Sequence, residues 1–89
     1  MRHIDLWITG KVQGVWYRKR AGEEALRLGV TGFAMNLPDG SVRIEAEGPQ
    51  EALDRFVAWC RTGPTRAVVE NVAVTDGPLI GYPDFATRR

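Results

Sequence analysis

Two stretches with helical periodicity, set among stretches that alternate, restrict this chain to a layered fold. Tyr17, Ala21, Ala25 and Leu28 recur at helical spacing, and Ala52, Leu53, Phe56, Val57 and Cys60 repeat the pattern later. Each helix therefore has one apolar stripe and needs a second layer to cover it. The rest of the chain supplies that layer. Ile4, Leu6 and Ile8 alternate with His3, Asp5, Trp7 and Thr9, as in a half-buried strand. Val30 to Met35 reads as a second strand, and a third presents Val42, Ile44 and Ala46 on one face and Arg43, Glu45 and Glu47 on the other. Between them, Leu37-Pro38-Asp39-Gly40 is a tight hairpin turn, with Pro fixing φ and Gly accepting the left-handed position. Gly48-Pro49 opens the second helix and Gly63-Pro64 stops it.

A valine-rich segment from Ala67 to Thr75 follows, with Val69, Val72 and Val74 as inward positions; its alternation slips at Glu70-Asn71, which predicts a bulge. The order is βαββαβ. The arrangement that buries both stripes is a ferredoxin-like α+β sandwich, a four-stranded antiparallel sheet with two helices on one face. Tyr82-Pro83-Asp84-Phe85 is expected to add a short edge strand. Residues 1–89 form a single domain, large enough to bury a modest core without staples.

The first β-α junction is Gly10-Lys11-Val12-Gln13-Gly14-Val15-Trp16-Tyr17-Arg18. Its glycines let consecutive N–H groups turn toward one point, and the helix that begins there adds unpaired N–H groups and the positive end of its dipole. Arg18 adds a permanent planar charge able to grip two phosphate oxygens. The residues alone are equally those of an ordinary strand-to-helix loop whose glycines serve a turn. Topology brings a second group near. A right-handed β-α-β crossover makes the first two strands parallel with the third inserted between them, so the loop and Asn36, at the end of the second strand, leave the same edge. They lie about 9 to 10 Å apart, two strand spacings.

Composition excludes several classes. Twelve Lys and Arg against eleven Asp and Glu give a net charge of +1 with no basic block, which argues against polyanion binding. Glu45 and Glu47 on the open face of the third strand argue against a base-stacking surface of the RNA-recognition type. The single Cys60 reads as a small core hydrophobe and, with no secretory signal pattern at the start, favours a reducing cytoplasm. No apolar run is long enough to span a bilayer. No nucleic-acid or membrane partner is expected, and the protein is expected to be a monomer. His3 is expected at the surface, Trp16 at the lip of a pocket, Trp59 at the border of the core, and Arg88-Arg89 at a solvated chain end.

The junction, together with Gly32-Phe33-Ala34-Met35-Asn36 and the following Asp39-Gly40, Val42 and Gly48, resembles the two signatures of the acylphosphatase family. Gly63-Pro64, Ala67 and Val69 extend the likeness at lower specificity. The resemblance implies hydrolysis of an acyl phosphate to a carboxylate and inorganic phosphate with no metal or organic cofactor. It implies that Arg18 and the N–H groups of Gly14, Val15, Trp16, Tyr17 and Arg18 hold the phosphoryl group, and that Asn36 orients the attacking water. The chain departs from the pattern at two places. Tyr17 stands where the family usually has Phe or Met, so an inward ring must find a partner for its hydroxyl, and Met35 stands where Lys or Arg is common, implying a less positive site. The same sandwich also serves non-catalytic modules that bind phosphate or RNA, and acylphosphatase-like domains that handle carbamoyl phosphate within larger proteins.

Overall fold

In the computed structural model, which describes residues 1–88, the elements are β1 (Arg2–Lys11), α1 (Tyr17–Leu28), β2 (Thr31–Asn36), β3 (Val42–Gly48), α2 (Gln50–Thr62), β4 (Val68–Gly77) and β5 (Phe85–Arg88). One sheet runs β4-β1-β3-β2-β5, with both helices on one face. The expected insertion of β3 is present: it pairs antiparallel with β1 from Arg2–Gly48 to Ile8–Val42 and with β2 from Thr31–Glu47 to Asn36–Val42. The expected edge strand also forms, but it pairs parallel to β2, so the sheet is mixed and has five strands rather than four antiparallel ones.

The helix-facing side of the sheet is the core. Ile4, Leu6, Ile8, Val42, Ile44 and Ala46 meet Ala21 and Ala25 of α1 and Leu53, Phe56 and Cys60 of α2, all buried. Phe85 of β5 extends this layer by packing edge-on against Phe56, with ring centroids 5.8 Å apart. The inward Tyr17 ring finds its partner: the hydroxyl donates to the Cys60 carbonyl at 2.7 Å, and burial pushes its pKa far up. Pro49 is the residue before α2 rather than its first helical position, a one-residue shift typical of helix ends. The slip at Glu70-Asn71 is a bulge between Thr9 and Gly10 of β1, where the register jumps from Asn71 to Val69. Gly10 permits it, since a Cβ there would lie 2.1 Å from the Val68 carbonyl oxygen. Val72 is buried and Val69 packs against the core, but Val74 is exposed, because β4 overhangs the helical layer at the sheet edge.

The opposite face differs most from expectation. β4 and β5 occupy opposite edges, so residues 78–84 must cross four strand spacings, about 19 Å. The path lies at the end of the sheet where β1 and β2 begin, since Gly77 is opposite His3 and Phe85 opposite Gly32. This crossing segment covers residues whose alternation suggested solvent. His3 is only 4 % exposed and Glu47 only 2 %, and Glu45 is buried as well. The Glu47 carboxylate accepts from the N–H groups of Ile80 at 2.6 Å and Gly81 at 2.9 Å, and from His3 Nδ1 at 2.8 Å. The Tyr82 hydroxyl donates to Glu45 at 2.5 Å, and its ring stacks on His3 and meets Phe33 edge-on.

These contacts shift the titrations in opposite directions. Burial alone would raise the Glu47 pKa, but three backbone N–H groups and His3 outweigh it and pull the value down to about 2. Burial alone would lower the His3 pKa, but hydrogen bonds to Glu47 and Asp5 and the charges of Asp5 and Glu45 bring it above 6.5. Glu47 therefore contributes stability that is present above 4.5 and lost as pH falls toward 2. His3 contributes stability that is full below 6.5 and lost as pH rises through its folded value. Glu47→Gln leaves one amide oxygen facing those backbone donors and should cost about 3 kcal/mol at neutral pH. Denaturant unfolding followed from pH 7 to pH 2 should also show a shallower acid loss in the variant; an unchanged slope would contradict the role given to Glu47.

Candidate active site

The β1–α1 junction turns on two residues with left-handed backbone. Gly14 has φ 73°, and Trp16, a residue with a Cβ, has φ 66° immediately before the helix. A left-handed non-glycine costs about 1 to 2 kcal/mol and persists only where its surroundings impose it. No side chain caps α1 at its start, and its first turn contains no acidic residue. The N–H groups there and the helix dipole thus have no acidic side chain of the first turn to meet them.

The loop is fixed to the neighbouring hairpin by a residue whose part sequence reasoning missed. The Gln13 side-chain amide donates to the carbonyls of Leu37 and Ser41, each at 2.8 Å. The hairpin is itself closed by Leu37 N–H donating to the Ser41 carbonyl, and by Asp39 accepting from the Ser41 N–H and hydroxyl. Those Ser41 hydrogen bonds hold the Asp39 carboxyl below its usual pKa. Gln13 stood inside the quoted motif, but only the folded hairpin shows what its amide reaches.

A cleft of about 320 Å³ opens at this edge of the sheet, bordered by Gly14, Trp16, Arg18 and Asn36 together with Lys19 and Thr87. The topology thus brings together the two groups singled out from sequence. Trp16 is 67 % exposed and forms a rim, with the Lys19 ammonium 5.4 Å from its ring centroid. Val15 turns into the core and does not border the cleft, and the Tyr17 side chain is buried against α2, which leaves the Tyr17 backbone at the border. Met35 does not border the cleft, and Lys19 stands beside Arg18 on its border. Among the described residues no acidic side chain borders the cleft.

Two observations at the cleft concern the proposed site residues directly. The Arg18 guanidinium donates to the Arg88 carbonyl at 2.6 Å. Arg88 is exposed, as expected, but it is a strand residue with its side chain over the Phe33 ring; Arg89 lies outside the described residues. Asn36 Oδ1 is buried and receives no hydrogen bond among the described residues. An unsatisfied buried acceptor costs about 1 to 3 kcal/mol. Elsewhere among the described residues, His3, Asp5 and Glu45 bring possible metal-ligand atoms within 4.8 Å of one another. Their atoms already bond to one another, to Glu47, to Tyr82 and to Arg43, which marks a hydrogen-bonded cluster on the far face of the sheet rather than a metal centre.

The comparisons agree with this geometry. The acylphosphatase family profile matches residues 4–87. An acylphosphatase of Methylococcus capsulatus is 43 % identical over 90 residues, spanning 100 % of this chain and 98 % of the relative. One of Thermus thermophilus is 49 % identical over 85 residues, spanning 96 % and 97 %. The crystal structure of acylphosphatase from Bacillus subtilis superposes with a TM-score of 0.97 at 33 % identity, covering 100 % of both chains. The chain belongs to the acylphosphatase family, and by class it is a hydrolase.

Replacing Gln13 by Ala should leave a folded protein about 1 to 2 kcal/mol less stable, as judged by denaturant unfolding. Because the bond sets the spacing of loop and hairpin, kcat with an acyl phosphate should fall more than KM rises. Wild-type kinetics in the folded variant would show that the spacing is set elsewhere.

Proposed function

We propose that the cleft hydrolyses acyl phosphates, with Arg18 and the N–H groups of Gly14 to Arg18 binding the phosphoryl group and Asn36 orienting the attacking water. The observation that carries this reading is that Arg18 and Asn36 border one cleft with Lys19, and that no acidic side chain among the described residues borders it. The Asn36 side-chain amide at that border hydrogen-bonds a water and holds the water's lone pair toward phosphorus. Water attacks, the bond from phosphorus to the acyl oxygen breaks, and the carboxylate leaves with the electron pair. The water's proton passes to phosphate oxygen or solvent. Charge on the equatorial oxygens falls to Arg18 and the loop amides, so catalysis is mainly positioning and electrostatic stabilisation.

A carboxylate is a good leaving group, so this chemistry requires no strong general base, metal or organic cofactor. The reading further takes the protein as a cytoplasmic monomer acting on a small molecule, without a nucleic-acid or membrane partner. The net charge of +1 supports this, as does the coverage of β1 and β3 by the crossing segment, which leaves little sheet face for stacking bases. No helix among the described residues is long and apolar enough to cross a membrane.

The test is benzoyl phosphate hydrolysis in the presence of chelator. Wild type should turn over; Asn36→Ala should lose kcat by roughly a hundredfold or more with little change in KM, as expected for loss of an oriented nucleophile. Arg18→Ala should lose turnover and also bind inorganic phosphate more weakly. Folded wild type that binds phosphate at Arg18 without hydrolysing the anhydride would make the protein a binding module instead.

A further inference from the structure

The cluster on the outer face of the sheet and the Arg18 contact lie at the two ends of one short piece of chain. The Glu47 carboxylate grips the backbone at residues 80–82, and His3 Nδ1 holds that carboxylate at 2.8 Å. The Gly32 N–H then donates to the Asp84 carbonyl at 2.9 Å, and β5 runs parallel to β2 from Gly32–Phe85 to Met35–Arg88. At its far end the Arg88 carbonyl receives the Arg18 guanidinium at 2.6 Å. The crossing uses about two-thirds to three-quarters of its reach: eight steps from Gly77 to Phe85 extend roughly 26 to 29 Å, against about 19 Å of sheet to traverse. β5 has a strand partner on one side only. Its position therefore depends on where the crossing segment is held.

We propose that His3 and Glu47 are positioning residues for the anion site: by clamping residues 80–82 they set β5, and β5 sets the Arg18 guanidinium. This rests on the reading of Arg18 as the phosphate ligand. The clamp depends on charge. Around the His3 ring stand Asp5 from its own strand, Glu45 and Glu47 from β3 and the Tyr82 ring from the crossing segment, while on the β4 side it meets the backbone of Gly77. Arg43 is the other cation of the cluster, 2.7 Å from Glu45 and 3.9 Å from Asp5. Asp76 of β4 pairs instead with Arg2. A protonated His3 holds the three carboxylates together. Deprotonation leaves Arg43 facing Asp5 and Glu45 and removes the cation that faces Glu47, so the clamp loosens at alkaline pH.

The test compares wild type, His3→Gln and Tyr82→Phe, each checked for folding by circular dichroism, in two assays: calorimetric binding of inorganic phosphate, and steady-state hydrolysis of benzoyl phosphate across pH 6 to 9. His3→Gln should weaken phosphate binding and raise KM by roughly five- to twentyfold at pH 6, in the range of ordinary coupling between sites, with kcat within about twofold of wild type. Damage that merely depletes the folded population would lower apparent kcat and leave KM alone. In wild type, KM should climb with pH to approach that of His3→Gln, whose own KM should be flat. Tyr82→Phe removes one hydroxyl and should move both constants the same way by less; if His3→Gln does not fold, this variant decides. Unchanged phosphate affinity and KM in a folded variant, with turnover intact, overturn the proposal. Weakened phosphate binding without turnover in any of the proteins, wild type included, would support the positioning role and remove the catalytic reading instead.

Discussion

The insertion of β3 between β1 and β2 is the constraint on which the site depends. It makes β1 and β2 parallel, so the chain leaves both at the same edge of the sheet, once into the junction that ends at Arg18 and once through Asn36 into the hairpin. One strand's width then lies between the β1–α1 junction and Asn36, and Gln13 bridges it by reaching the hairpin carbonyls. The strain at Trp16 is tolerated because both flanks are anchored: Val15 in the core, Tyr17 against the Cys60 carbonyl. An arrangement held so firmly while free of substrate reduces the reorganisation needed when charge develops on the phosphoryl oxygens.

The sheet has two faces with different physics. The helix side is an apolar core, where Phe56, Leu6 and Ile44 exclude water. The other side buries a histidine, two glutamates and a tyrosine hydroxyl, affordable because every one of these groups is paired. The cleft lies at the end of the sheet away from this cluster, and among the described residues its border carries Arg18 and Lys19 and no acidic side chain. β5 is the piece of backbone that runs between cluster and cleft.

Most of the fold was legible in residues with local signatures. The stripe Tyr17, Ala21, Ala25 and the alternation Ile4, Leu6, Ile8 each declare an element and its buried face, and the slip at Glu70-Asn71 located a real bulge. Arg18 and Asn36 followed from topology and motif and do border one cleft. What local pattern could not show was the long-range path of residues 78–84. Alternation correctly placed His3, Glu45 and Glu47 on the outer face, but whether that face meets water depends on a segment more than thirty positions further along than Glu47. Its composition of Pro, Gly and a few apolar residues announces no regular structure. The partners of Gln13 and of the Arg18 guanidinium were hidden for the same reason, since both are backbone carbonyls and any residue type supplies one.

The central claim is that one cleft joins the loop amides, Arg18 and Asn36 around a phosphoryl group. Amide NMR of isotope-labelled protein titrated with orthophosphate tests it most directly. The account predicts that the backbone N–H signals of Gly14 to Arg18 and the side-chain amide of Asn36 shift together along one saturable curve. Saturable shifts centred on other residues, with Gly14 to Arg18 and Asn36 unmoved, would contradict it.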